Sequence, residues 1–278
     1  MSVSSLLPLE SSLPGVGLSV EKMPAHWLMA RLGKRVLRPG GAQTTRWLLE
    51  QLAVSERDDV VELAPGLGAT AREVLTHSPR SYAGVERDVA AATFSERSLQ
   101  SAGFRDARVI QADARAIPLP DGHASVVLGE AVLSMQTPAH KDQIVSEATR
   151  LLRPGGAYAI HELAVMPDHI DEELLETIQA TLSAAIHVGV RIGTVREWKN
   201  VIERHGLVLE ASTTAPMKLL EPDRVIQDEG FWGAARFTFN TLRTPGAVKR
   251  LLKVRAAFQK HSASLCAVAL VARRPVGH

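Results

Sequence analysis

The chain has 278 residues, of which 45% are hydrophobic and 22% charged, at a net charge of +2. That balance fits a globular chain with a sizeable core and excludes disordered or fibrous classes. Its single cysteine, Cys266, excludes an intrachain disulfide and a multi-cysteine metal cluster and fits a reducing compartment. The best apolar run, 265–272, falls well short of the roughly 20 residues that cross a bilayer, so a soluble, cytoplasmic protein is expected.

In chain order, the first twenty residues carry no Lys or Arg and are broken by Pro8 and Pro14. This is wrong for a secretory signal, and 1–22 is read as a flexible tail. An acid-free stretch from 23 to 49 follows, with Arg31, Lys34, Arg35 and Arg38 at i, i+3, i+4 and i+7, a single stripe if helical. Short β-rich runs then appear at 59–63, 82–86, 108–111, 125–128 and 157–163, separated by helical patterns. In the last separator, Ile144, Val145, Ala148, Leu151 and Leu152 form the apolar stripe and Arg153-Pro154-Gly155-Gly156 stops it. Strands alternating with helices imply right-handed crossovers, a parallel sheet covered on both faces, and ligands outside the carboxyl ends of the strands.

The alternation breaks after 163. Residues 171–186 read as a helix with Leu174, Leu175, Ile178, Leu182 and Ile186 on one side, a cap rather than a crossover. Thr194-Val195-Arg196-Glu197 has the form of a capping box opening a helix through Trp198, Val201 and Ile202 that Gly206 ends. A strand at 207–213 and a long helical insert, with Val248, Leu251, Leu252 and Phe258 as its apolar side, precede a last strand at 265–272. From Gly230 to His278 there are nine Lys or Arg and no Asp or Glu, a solvated basic face or a rim that attracts an anionic substrate or surface.

Gly66-Leu67-Gly68-Ala69-Thr70-Ala71 formally matches the dinucleotide fingerprint G-x-G-x-x-G/A, and Glu86 lies twenty positions beyond Gly66. Alone this is weak, because any strand-to-helix turn that approaches a ligand wants glycine. The neighbours weigh against a nicotinamide site. Glu62 stands at the strand end where a dinucleotide strand would stay apolar, and an acid there suits a cationic ligand.

The series Glu62-Leu63-Ala64-Pro65-Gly66-Leu67-Gly68, Val85-Glu86, Gln111-Ala112-Asp113-Ala114 and Leu152-Arg153-Pro154-Gly155-Gly156 resembles the motifs of class I S-adenosylmethionine-dependent methyltransferases, in particular the small-molecule, methyltransferase type 11-like group. The resemblance covers residues 60–162. It implies a doubly wound, mostly parallel, Rossmann-like α/β sheet of seven strands with the last antiparallel. It also implies one methyltransferase domain over 23–278 with a helical N-terminal arm (23–52) and cap inserts (164–193 and 217–262) around the substrate pocket.

It further implies residue roles. Gly66 and Gly68, in the loop with Ala64 and Pro65, let the backbone approach S-adenosylmethionine, and Glu62 faces its ammonium side. Glu86 accepts the ribose hydroxyls and Arg87 lies against the adenine. Asp113 takes the adenine amine, Ala114 leaves room for the ring, and Gly129, Glu130 and Ala131 line the methionine end. Ala64 stands where the family has its first loop glycine, a departure that bears on the loop path.

The reaction implied is transfer of the sulfonium methyl to an O, N or C atom of a small-molecule acceptor, anionic or aromatic if the basic rim and Phe231, Trp232, Phe237 and Phe239 line the mouth, releasing S-adenosylhomocysteine. Arg38, Lys34, Arg236 and Arg243 are the rim candidates. Glu130 and His161 are the candidates for a general base, each with a structural alternative: a helix cap for Glu130, a satisfied core histidine for His161. The segment His161-Glu162-Leu163-Ala164-Val165 lacks the second histidine of a zinc helix, and no metal is expected. Neither a nucleic-acid partner nor a membrane span is expected; a homodimer is possible. Two alternatives remain at this point: an NAD(P)-dependent oxidoreductase, and a non-catalytic module that binds S-adenosylmethionine.

Overall fold

The computed structural model of the protein describes residues 13–277 except 16 and 37. The tail expectation falls outside the described residues at 1–12 and 16; beyond them, Leu13 is buried. Two helices, α1 (Ala25–Arg31) and α2 (Gly41–Leu52), precede the sheet. There follow β1 (Asp59–Leu63), α3 (Ala69–Thr76), β2 (Ser81–Glu86), α4 (Val89–Ser101), β3 (Arg108–Gln111), β4 (Ala124–Glu130), α5 (Pro138–Leu151) and β5 (Leu152–Val165). The last part comprises α6 (Glu172–Ile186), β6 (Gly193–Thr194), α7 (Val195–Glu203), β7 (Val208–Pro216), α8 (Pro222–Arg243), α9 (Ala247–Lys260) and β8 (Leu265–Arg273).

The strands form one sheet in the order β3-β2-β1-β4-β5-β8-β7, with β6 paired to the end of β5. Only β8 runs against its neighbours, inserted antiparallel between β5 and β7. The doubly wound, Rossmann-like sheet with an antiparallel last strand is thus observed, with eight strands instead of seven. The extra strand is short: Gly193 and Thr194 pair with Ala164 and Val165 as the chain enters α7.

Covering both faces of the sheet explains why β4 and β8 read as continuous apolar runs. On one face, α5 and α7 pack Ile144, Val145, Leu151, Trp198 and Ile202 against Val61, Val127 and Ile160. On the other, α2, α3 and α4 bring Leu48, Leu49, Val74 and Leu99 against Val60, Val126 and Ala159. The edge strand β7 alternates exposed and half-buried residues, as a strand covered on one side should. The expected capping box is formed: Thr194 Oγ1 accepts the Glu197 N–H at 3.1 Å and Glu197 Oε2 accepts the Thr194 N–H at 2.7 Å.

A third core, beyond the strand ends, belongs to the cap. There α1, α6, α8 and α9 gather Leu28, Ile178, Leu182, Phe237, Leu251, Val254 and Phe258 around Leu163 and Leu265. Three expectations are corrected in this region. The cationic stripe is not helical, because α1 stops at Arg31. Gly33 takes φ +101°, its N–H bonds to Ala30 O and that of Lys34 to Met29 O, a Schellman stop. Leu174 lies on the exposed side of α6. In α9, Leu251 and Phe258 are buried while Val248 and Leu252 face outward.

Candidate active site

The strand order reverses between β1 and β4, and a cavity of about 500 Å³ opens beyond their carboxyl ends, where open α/β sheets bind ligands. Glu62, the loop 64–67, Ala69, Thr70, Glu86, Arg87, Glu130 and Ala131 form one end of it.

The loop keeps a glycine-like path in spite of its alanine. Ala64 adopts φ +50°, a region that costs an L-residue energy. Its N–H is held by Val85 O at 2.8 Å. Gly66 and Gly68 are also left-handed, at φ +57° and +75°. A Cβ at Gly68 would come within 2.9 Å of Ser95 Oγ, so Gly68 serves the packing of α3 on α4 and does not line the cavity.

Glu86 is buried at the end of β2, with Oε2 accepting the Gly66 N–H at 3.3 Å and Oε1 the Asp88 N–H at 3.0 Å. Burial pushes its carboxyl up, against the pull of those N–H groups. Arg87 stands exposed beside it on the cavity wall. Glu62 is buried at the end of β1 and accepts the Tyr82 hydroxyl at 2.8 Å. Burial, and to a lesser degree the charge on Glu130, pushes its carboxyl up to about 8 in spite of the Tyr82 hydrogen bond and Arg38.

Glu130 is the centre of a buried polar network. Its Oε2 accepts Arg38 Nη1 at 2.5 Å and the Thr70 hydroxyl; Oε1 accepts the Thr45 hydroxyl at 2.5 Å and lies 2.7 Å from His161 Nδ1. Arg38 also reaches Thr70 Oγ1 and, at 3.3 Å, Glu73. Burial opposes ionisation of Glu130, but Arg38, His161 and Thr45 outweigh it and hold the carboxyl well below its ordinary range. A carboxylate so held is a poor proton acceptor. His161 is fully buried behind Glu130, off the cavity wall, with Nε2 unpartnered. Its neighbour Glu162 ties down the turn after β4, accepting the N–H groups of Val132, Leu133 and Ser134 at 2.8–2.9 Å.

Other expected residues lie apart. Asp113 is half-buried and engaged by Arg115, whose hydrogen bond leads in lowering its carboxyl to about 2. Neither Asp113 nor Ala114 lines the cavity, and Gly129 sits inside β4 against Leu63. Of the rim cations, only Arg38 reaches the cavity. Lys34 is buried between Asp228 and Glu229, 3.5 Å from each, and fastens the arm to α8. Arg236 donates to Gly33 O, and Arg243 lies over the Phe239 ring. Phe231, Trp232 and Phe239 point to solvent and Phe237 into the cap core. The far wall is made instead by Trp27, Met29, Met135, Leu163, Ile186, Val188, Met217, Leu219 and Phe258. Arm and both cap inserts thus converge on one apolar chamber. Thr45, Thr70 and Tyr82 carried no motif signal, since their roles depend on partners 20 to 85 residues away.

Residues 60–156 match a family model described as a methyltransferase domain. That segment is a methyltransferase domain of the S-adenosylmethionine-dependent kind. The matched segment contains the glycine loop, and the model it matches is that of a methyltransferase rather than of a nicotinamide enzyme. Among similar proteins, an uncharacterized protein of Haemophilus influenzae is 29% identical over 232 residues, 82% of this chain and 90% of the relative. An uncharacterized methyltransferase of Synechocystis sp. is 28% identical over 139 residues, 49% of this chain and 63% of the relative. The fold of this methyltransferase is shared by the [4+2]-cyclase SpnF, with a TM-score of 0.70 at 16% identity over 90% of this chain and 93% of that one.

Proposed function

We propose that the enzyme methylates a small molecule with an apolar body, held in the chamber between the N-terminal arm and the cap. The observation that carries this reading is the continuity of the cavity, from the glycine loop and Glu86 at one end to Met29, Leu163, Ile186, Met217 and Phe258 at the other. Such a concave, mostly apolar site with a few polar groups suits a small ligand.

The residues at the strand ends fit S-adenosylmethionine. The Ala64–Gly68 turn clears backbone for close approach, Glu86 offers two carboxylate oxygens for vicinal hydroxyls, and Glu62 is a carboxyl that gains by meeting a cation. When bound, the cofactor supplies the activated methyl group. The chain aligns the acceptor and excludes water. Arg87 borders the nucleotide end, with Asp113 and Ala114 as an outer edge that reaches it only if the segment after β3 shifts. Ala131, with φ +55° and its N–H on His161 O at 2.8 Å, bends the wall at the methionine end, and Gly129 beneath it lets β4 approach Leu63.

Glu130 and His161 act in this reading as positioning residues that hold Arg38 and the arm, rather than as a general base. The acceptor therefore has to present its nucleophile already deprotonated or needing no base. An anionic group on the acceptor would have to be met by Arg35 or Arg38, the two arginines of the arm on the cavity wall.

Calorimetric titration with S-adenosylmethionine, S-adenosylhomocysteine and NADH, followed by an acceptor screen pairing neutral apolar with carboxylated compounds, tests the proposal. Binding of the first two and turnover of apolar acceptors is expected. Binding without turnover of any compound would favour a non-catalytic module.

A further inference from the structure

Among the described residues thirteen large hydrophobics are exposed, and seven of them lie on α8 and α9: Ile226, Phe231, Trp232, Phe239, Leu242, Val248 and Leu252. Gly230, at φ +71° and ψ 169°, kinks α8. Beyond the kink, Trp232, Arg236, Phe239, Leu242 and Arg243 follow at helical spacing along the solvent side, while Ala234 and Phe237 face the cap core. On α9 the outward stripe is Val248, Lys249, Leu252, Lys253 and Lys260, against inward Leu251, Val254 and Phe258. Trp232 is 82% exposed, Leu242 70% and Phe231 67%. Phe231 and Trp232 pack edge to face with ring centroids 5.3 Å apart, and exposed apolar surface of this kind usually has a partner.

The charge on this surface says which partner. There is no acid from Gly230 to His278. Arg255 is paired with Glu221; among the described residues Arg236, Arg243, Lys249, Lys253 and Lys260 have no ion pair. The acids around it are Asp228 and Glu229, just before the kink and engaged by Lys34, Glu21 at the turn before α9, and Glu172, Glu173 and Glu176 on α6, which packs against α9. A second copy meeting this face two-fold would set cations on cations. Phe, Trp and Leu flanked by Arg and Lys instead suit the boundary of an anionic bilayer, where aromatic rings sit among headgroups and cations meet lipid phosphate. No helix among the described residues is long and apolar enough to cross a membrane, so attachment would be peripheral.

We propose that the outer face of the α8–α9 hairpin docks on an anionic lipid surface. The hairpin's inner side supplies Phe258 to the cavity wall, so docking holds the acceptor chamber next to the bilayer. The proposal concerns a surface remote from the glycine loop and stands whether or not the acceptor assignment is right.

Flotation of the full chain with vesicles of phosphatidylcholine alone, or with one third phosphatidylglycerol, tests it, together with tryptophan emission. Trp198 is buried and Trp27 and Trp47 are partly buried, so a blue shift on binding reports Trp232. Flotation only with the anionic vesicles, loss of it in 0.5 M salt, and a blue shift absent from Trp232→Phe are expected. Affinity should fall about five-fold for each of Arg243→Gln and Lys249→Gln and roughly tenfold or more for Phe239→Ser with Leu242→Ser. These surface variants should keep the parent's melting temperature and affinity for S-adenosylhomocysteine. Equal binding to neutral vesicles, no flotation at all, tighter binding to a single-stranded oligonucleotide, or a dimer dissolved by the same variants would each overturn it.

Discussion

The strand ends and the cap surround one cavity but are built in different ways. At the strand ends, Glu62 and Glu86 belong to two adjacent parallel strands, β1 and β2, in register from Asp59 and Ser81 to Leu63 and Val85, and Ala64 and Gly66 to the turn that follows β1. Their positions follow from the strands and one tight turn. The cap wall instead collects Trp27, Leu163, Ile186, Met217 and Phe258 from five distant segments, brought together by packing in a separate core. The first region can therefore hold a common ligand group while the second varies with the acceptor. Arg38 joins the two, reaching from the arm to Thr70 on α3 and Glu130 on β4.

Cutting that join should have the largest effect. Arg38→Met leaves Glu130 charged and buried, and is expected to lower stability by about 3–5 kcal/mol, read from the denaturant midpoint. Adding Glu130→Gln should restore much of it. An unchanged midpoint would mean that arm and sheet are energetically independent.

A change confined to the strand ends should instead spare stability and strike the ligand. Glu86→Ala is expected to weaken S-adenosylhomocysteine binding by about 2–4 kcal/mol, the value of hydrogen bonds to a charged group, with little loss in melting temperature. Equal affinity for parent and variant would remove Glu86 from the site.

The raised Glu62 carboxyl sharpens the contrast through pH. At neutral pH it is largely protonated, its ionisation lying at about 8, and a cationic ligand must displace that proton. Affinity should rise with pH, at most tenfold per unit, and level off above about pH 8. Protons released on binding would appear as a buffer-dependent calorimetric enthalpy. Glu62→Gln should abolish the dependence, and Tyr82→Phe, by removing a hydrogen bond to the carboxylate, should move it to higher pH. For folding the sign is opposite: stability from protonated Glu62 is full below about pH 4.5 and is lost as pH rises through about 8.

The smallest effect is expected at the outer edge. Asp113 pairs with Arg115 where both side chains remain about one third exposed, so Asp113→Ala should cost under about 1 kcal/mol in stability and weaken nucleotide binding less than Glu86→Ala. A larger loss of affinity would mean that the segment after β3 closes on the ligand.

Sequence by itself determined the sheet, because its periodicities are local. Buried strands read as apolar runs, and the capping box and the helix stop after Leu151 are written in consecutive residues. It also determined the loop, since left-handed turns select glycine and the strand-end acids keep fixed spacing. What only the tertiary structure decided was which charges meet. A basic stripe from Arg31 to Arg38 has the same local pattern whether it faces solvent or is broken by Gly33, with Lys34 turned toward Asp228 and Arg38 toward Glu130. The outward Val248 and Leu252 are likewise indistinguishable from core residues until the packing of α9 is known. Ion pairs between residues 35 to 195 positions apart leave no periodic trace, because their energy depends on distance and burial in three dimensions.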